Sequence, residues 1–189
     1  MIIINIFDYV KGSKKFEPKS FSETKNDIEE LHEYNIDIED LEISTLFKEG
    51  SMYVNNEDFV QFRLIASEIK DKQEITNKLK SLADNIDLLN SISPKKHQDF
   101  AIRIVKNNFN SMHSIITDLN SLKNSVDKFE NLHTTLMNSG LSLDVKILLE
   151  QDFRNKHVKL NELYLKQKNI FLNLSSIFLK LAKSSVFKR

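Results

Sequence analysis

Residues 75–94 read ITNKLKSLADNIDLLNSISP, and this stretch decides the fold class. Its large apolar residues recur at alternating steps of four and three, namely Ile75, Leu79, Leu82, Ile86 and Leu89. Such steps place side chains on one face of an α-helix and are typical of helices that pack side by side, as in coiled coils. The stretch ends in Ser93-Pro94, where the serine can cap a following helix and proline is tolerated at the first helical position. The sequence therefore predicts that one long helix ends here and that a second begins.

The same periodicity continues on both sides of this junction. We predict long helices over about residues 56–92, 94–138 and 142–187, with Gly140 as the stop between the last two. The predicted inward residues before this stretch are Val60 and Leu64, and those after it are Val105, Phe109, Met112, Ile116, Leu119, Leu122, Val126, Phe129 and Leu136. Short connections favour antiparallel neighbours, and a rise of 1.5 Å per residue makes these helices roughly 50–65 Å long. The predicted fold is all-α, an elongated, coiled-coil-like antiparallel bundle of three long helices over residues 56–189.

Residues 1–55 are predicted to form a small acidic lobe. Residues 2–10 favour a short strand or a buried arm, because they are rich in isoleucine and aromatic residues. Ser20 or Ser22 can cap a short helix that continues to Tyr34, and Asp37 can cap another that stops at Gly50.

Composition excludes several classes of protein. The chain has 189 residues, of which 40% are hydrophobic and 29% charged, so it can build a core. It has no cysteine, which rules out disulfides, thiolate zinc sites and cysteine nucleophiles. We find neither a signal-peptide pattern nor a long apolar run, and we expect a cytoplasmic protein by default, with secretion by another route left open.

The net charge of +0 hides a gradient along the chain. Residues 1–50 carry 6 basic and 12 acidic residues, whereas residues 141–189 carry 10 basic and 4 acidic ones. The two ends can attract each other within one chain or between subunits, or the basic end can meet an external anionic partner. Nucleic acid is not favoured, because the modest basic patch of Lys95, Lys96, Arg103 and Lys106 lacks interleaved aromatic residues.

No motif points to catalysis, to a cofactor or to a metal. No two of the five histidines lie three or four residues apart, so we interpret them as ordinary surface or boundary residues. The three glycines are scattered, which excludes a glycine-rich phosphate loop. The acidic residues between Asp27 and Glu42 lack the mid-loop glycine of a calcium loop and are interpreted as a solvated face.

The C-terminal helix is apolar over about two-thirds of its circumference. Its inward seam is predicted to be Leu160, Leu163, Ile170, Leu174, Ile177 and Leu181. A second, outer line with its neighbours forms the candidate interface, which consists of Leu165, Leu172, Leu179, Val186, Phe171, Phe178, Lys168 and Lys183. Three interpretations stay open: the N-terminal lobe covers this line, another subunit docks on it, or it meets a lipid surface.

The sequence thus favours a non-catalytic helical scaffold or adaptor subunit that assembles with a protein partner or with itself through its apolar, basic C-terminal helix. The alternative is a membrane-active helical protein, such as a component of an α-helical pore-forming system.

Overall fold

The computed structural model describes residues 19–32, 56–72, 74–93 and 95–185. The helices among them are α1 Phe21–Leu31, α2 Asn56–Lys72, α3 Ile75–Ser91, α4 Gln98–Met137 and α5 Leu143–Ser185. These described residues contain no strand, so the predicted all-α class is confirmed for them. The predicted strand or arm at residues 2–10, the helix after Asp37 and the lobe boundary near residue 55 lie outside the described residues.

The chain forms two compact units, and α4 and α5 each contribute to both. The first unit contains α1, α3, α4 as far as Leu119 and α5 from Lys166 onward. The second contains α2, α4 from Asn120 onward and α5 as far as Leu165. The units therefore combine segments that are far apart in sequence, whereas the predicted division at residue 55 follows the order of the chain.

Helix α1 begins with a serine cap. The hydroxyl of Ser20 accepts a hydrogen bond from the Glu23 amide at 3.2 Å and lies 3.1 Å from the Glu23 carboxylate. This pairing satisfies an amide that the first helical turn would otherwise leave open, and it selects Ser20 over Ser22 as the cap. The helix packs against α3 and buries Ile28 and Leu31.

The first predicted long helix, over residues 56–92, is divided into α2 and α3 in the structure. The predicted inward residues of α2 are wrong, since Val60 is 61% exposed and Leu64 is 55% exposed. The buried side of α2 consists instead of Phe62, Ile65, Ala66 and Ile69. These residues also follow helical spacing, and they form the more continuous of the two apolar lines, because the line through Leu64 reaches a charged residue at Glu68.

Helix α3 buries all five residues that its spacing predicts, and each is at most 1% exposed. Its contacts with α4 come in reverse order along the two helices. The Lys78 ammonium contacts the Asp118 carboxylate at 2.5 Å, while the Asn85 amide donates to the Asn108 side-chain oxygen at 2.9 Å. Contacts in this order are those of two neighbouring helices that run in opposite directions.

Helix α4 begins at Gln98, later than the predicted Pro94, which lies outside the described residues. The His97 amide still donates to the Ser93 carbonyl at 3.0 Å, so a hydrogen-bonded turn precedes the helix at Ser93. All but one of the nine predicted inward residues of α4 are buried; the exception is Ile116, which is half-buried while Ile115 is fully buried.

The core of the second unit is built around an aromatic stack. The rings of Phe129 and Phe153 lie 4.6 Å apart at an angle of 19°, and both side chains are fully buried. Three leucines on the same side of α5 as Phe153 are also buried, namely Leu149, Leu160 and Leu163. Each such side chain contributes about 1.5–3 kcal/mol through burial, so this core holds α5 with one fixed face inward.

Candidate functional site

The predicted interface on α5 does not form one open surface. Phe171, Leu172 and Phe178 are buried within the chain, which corrects their assignment to an outward line. Leu179 and Lys168 are half-buried, Leu165 and Lys183 are exposed, and Val186 lies outside the described residues.

The physical reason is that α5 is enclosed on all sides over residues 170–175, within the first unit. Every residue from 170 to 175 is buried, whereas a surface helix exposes part of each turn. Phe178 packs edge-on against Phe109 at 5.3 Å, and the amide of Lys19 donates a hydrogen bond to the Asn173 side-chain oxygen at 3.0 Å. Asn173 is thus a buried polar residue of α5 that the residue before the cap of α1 contacts.

Within the second unit, the side of α5 opposite its core carries four exposed apolar side chains among polar ones such as Arg154 and Asn161. The exposed fractions are 73% for Leu143, 49% for Ile147, 50% for Val158 and 53% for Leu165. At 3.6 residues per turn, these four positions fall within about 60° around the helix axis. We call them the α5 stripe; it meets the predicted outer line only at Leu165. Helix α2 adds a smaller exposed pair, Val60 and Leu64.

The α5 stripe is a group of exposed apolar side chains on the side of the helix away from the core. The core side of α5 already stabilises the unit, so leaving four large apolar side chains in water brings no benefit to folding. Contiguous apolar surface marks a docking site, but the exposed residues Gln151 and Arg154 interrupt the stripe between Ile147 and Val158.

A second candidate site lies between α4 and α5 in the second unit. A pocket of about 160 Å³ is lined by Phe129, Glu130 and His133 from α4 and by Phe153, Arg154 and His157 from α5. The ring of His133 stacks on Phe153 at 5.3 Å, and its Nε2 atom is buried without a hydrogen-bond partner. Burial lowers the pKa of His133, because a charged imidazolium loses hydration there.

The other charged groups of this pocket pair with one another. His157 Nε2 lies 3.7 Å from the Glu130 carboxylate, and Arg154 binds Glu150 at 2.5 Å. Among the described residues, no group of three or more histidine, aspartate or glutamate side chains is placed to hold a metal ion. The pocket therefore contains two side-chain pairs, His157 with Glu130 and Arg154 with Glu150, beside the rings of Phe129 and Phe153.

His133 and His157 were predicted to be ordinary surface or boundary residues, so this cluster was not predicted. The signal for half of it is the spacing Glu130-x-x-His133, which places both side chains on one helix face. His157 joins them only because α5 packs beside α4.

An open polar groove crosses the first unit between α3 and α4. Its walls include Glu74, Asn77, Ser81 and Asn110. Its one basic side chain, Lys78, contacts Asp118 at 2.5 Å and the Ser114 hydroxyl at 2.9 Å. The Lys78 cation is thus already paired within the chain.

No helix in the described part of the chain is long and apolar enough to cross a membrane. Comparison of the chain with protein-family models, with curated proteins and with solved structures finds no match.

Proposed function

We propose that this protein is a non-catalytic helical scaffold or adaptor subunit that assembles with other protein chains through α5. The observation that carries the proposal is the α5 stripe, which exposes Leu143, Ile147, Val158 and Leu165 on the side opposite the core. The site is still on the C-terminal helix but lies nearer its N-terminal end than the sequence predicted.

The paired charges of the histidine pocket support a non-catalytic role. The Glu150 carboxylate already binds Arg154, and Glu130 lies 3.7 Å from the imidazole of His157. A general acid or base must be free to exchange a proton with a substrate.

We also propose that the three long helical segments form an elongated antiparallel bundle. The reversed order of contacts between α3 and α4 supports this, as does the short connection from Met137 to Leu143. Sedimentation velocity tests it: an elongated monomer has a high frictional ratio, and a ratio typical of a sphere rejects the proposal.

The scaffold proposal is tested with two matched double variants of the full chain. Ile147→Glu with Val158→Glu places two carboxylates on the α5 stripe. Asn124→Glu with Asn131→Glu adds the same charge at exposed positions of α4 and serves as the control. Each variant is compared with the wild-type chain in two respects: the partner proteins that it binds and its self-association.

The stripe variant is expected to lose an association that the wild-type chain and the control both retain, with melting unchanged in all three. Carboxylates are costly to bury at an apolar interface, whereas half-exposed positions tolerate them in the free chain. If the stripe variant behaves like the wild type in every assembly assay, the proposal is wrong.

A membrane-active helical protein, such as a component of an α-helical pore-forming system, is the second proposal. Lys146 and Lys159 lie on the same helix as the α5 stripe, and apolar residues combined with lysines are typical of helices that lie in a lipid interface. Flotation with vesicles that contain anionic lipid tests it. The wild-type chain should float and the stripe variant should not; a wild-type chain that stays at the bottom of the gradient excludes this role.

A further inference from the structure

The histidine pocket lies where α4 and α5 pack together in the second unit. His133 of α4 stacks on Phe153 of α5, and Phe153 stacks in turn on Phe129 of α4, so three aromatic rings join the two helices. Phe129 and Phe153 are fully buried. His133 thus extends a core aromatic stack with a ring that can take up a proton at mild acidity, which a phenyl ring cannot do.

The stacked position of His133 suits only the neutral ring. The side chain is half-buried, but its Nε2 atom is buried and has no hydrogen-bond partner. Both nitrogens of a protonated imidazole are donors, and burying a donor of a charged ring without an acceptor is costly. A protonated His133 therefore gains more from water or from a carboxylate than from its place on Phe153.

The charged groups around His133 act on it in opposite directions. Glu130 lies one turn before it on α4, and α5 contributes Glu150, Arg154 and His157. The two carboxylates favour the protonated ring, whereas Arg154 and His157 oppose it. Arg154 holds Glu150 at 2.5 Å, and Glu130 lies 3.7 Å from His157 Nε2. Both carboxylates thus already have another neighbour while His133 stays stacked.

Helix α2 also belongs to the second unit, and its charge near this part of α4 is paired. Glu68 accepts a hydrogen bond from Ser125 at 2.8 Å and lies 3.6 Å from Lys128. These contacts lie about one to two turns before His133 on α4. The response of His133 is therefore set mainly by the groups of α4 and α5 that line the pocket.

We propose that the histidine pocket is a pH switch: when His133 takes up a proton, its ring leaves Phe153 and the contact between α4 and α5 opens around the pocket. The open form binds the proton near the ordinary value for histidine, about 6.5. The closed form binds it only at lower pH, because burial lowers the pKa of His133. Falling pH therefore favours the open form, and raising the pH above 6.5 restores the closed one.

Opening is measured by hydrogen exchange of the full chain, corrected for the intrinsic exchange rate at each pH. Residues 129–137 of α4 and 149–157 of α5 report on the pocket, and α3 in the first unit is the internal reference. Between pH 7 and pH 5.5 the opening constant of the two reporting segments should rise by up to roughly tenfold, as expected for one proton. The amides of α3 should keep their protection.

Two neighbours of His133 give shifts of opposite sign. Both side chains of the pair Glu150 and Arg154 are more than 40% exposed, so neither substitution disturbs the core. Glu150→Gln removes the carboxylate that most favours the protonated ring, and opening should move to lower pH. Arg154→Gln removes an opposing cation and frees Glu150 to accept from the ring, so opening should move to higher pH. The same ion pair is broken in both variants, so a merely structural role cannot produce opposite shifts.

His133→Phe keeps a stacked ring without a titrating nitrogen, and it should hold the two segments closed at pH 5.5. His113→Phe, at an exposed position of α4, is the matched control and should open like the wild type. If His133→Phe fails to fold, the two variants of the ion pair still test the switch, because they retain His133.

Three results overturn the inference. The first is wild-type protection of the two segments that does not change with pH. The second is a shift in the same direction for Glu150→Gln and Arg154→Gln. The third is simultaneous loss of protection in α3, which would mean that acid unfolds the whole chain and that the pocket does not open by itself.

Discussion

The backbone amide of Lys19 and the side-chain oxygen of Asn173 are joined by a hydrogen bond of 3.0 Å, across 154 positions of sequence. Asn173 lies in the run of α5 that is buried on all sides, and Lys19 directly precedes the cap of α1. The N-terminal region and the C-terminal helix are therefore packed together in the first unit. The contact joins Lys19 to Asn173; that the N-terminal lobe covers the outer line of α5 stays a prediction.

Asn173→Ala should lower the free energy of unfolding by about 1–3 kcal/mol, because the substitution leaves the part-buried Lys19 amide without its acceptor. Urea denaturation measures the loss. Asn169→Ala, at an exposed position one turn earlier on α5, is the control and should change stability little. Equal stability of the two variants would show that the contact does not form in solution.

The neighbouring isoleucines of α4 test which face of the helix points inward. Ile115 is fully buried, whereas Ile116 is half-buried. Ile115→Ala should cost about 2–5 kcal/mol, as buried large-to-small substitutions do, and Ile116→Ala should cost clearly less. Thermal and urea denaturation compare the two. A larger loss of stability for Ile116→Ala than for Ile115→Ala would mean that the face predicted from the sequence periodicity is the one that points inward.

Apolar burial, more than charge, should hold α1 against α3. The Lys25 ammonium lies 2.6 Å from the Asp87 carboxylate, but both side chains are more than 40% exposed, so water screens the pair. Lys25→Ala should cost less than about 1 kcal/mol, whereas Ile28→Ala, at a buried position, should cost about 2–5 kcal/mol. Hydrogen exchange of the α1 amides reports whether each substitution releases the helix. Strong release by Lys25→Ala alone would contradict this ranking.

The histidine pocket predicts that stability falls on mild acidification. Because burial lowers the pKa of His133 in the folded chain, the unfolded chain takes up this proton first, starting near pH 6.5. The stabilising contribution is complete above the unfolded pKa and is lost as the pH falls toward the lowered folded value. Glu130, Glu150, Arg154 and His157 surround the group, and the carboxylates partly offset the effect of burial.

His133→Phe keeps a ring beside Phe153 and removes the titrating nitrogen. Its free energy of unfolding should fall less than that of the wild type between pH 7 and pH 5.5. His113→Phe, at an exposed position of α4, should keep the wild-type slope. Parallel slopes for the wild type and His133→Phe would show that His133 is not desolvated.

The sequence by itself determined the elements wherever a single apolar line runs along a helix. The alternating steps of α3 predicted Ile75, Leu79 and Leu82 as core residues, and all three are buried. Ser20 was one of the two predicted caps of the first short helix, and its hydroxyl lies 3.2 Å from the first-turn amide of Glu23. These features depend on interactions between residues close in sequence, which periodicity and capping chemistry describe directly.

The tertiary structure decided which residues are buried wherever one helix carries two apolar lines and either line could face the core. On α2 the line through Phe62 and Ile65 is buried and the line through Val60 and Leu64 is exposed. On α5 the outer line is exposed at Leu165 and buried at Leu172, although the two residues lie seven apart on the same face. Helical spacing cannot separate these cases, because burial depends on which other segments cover the face. That information lies in contacts between residues distant in sequence, such as Lys19 with Asn173, and only the folded chain brings those residues together.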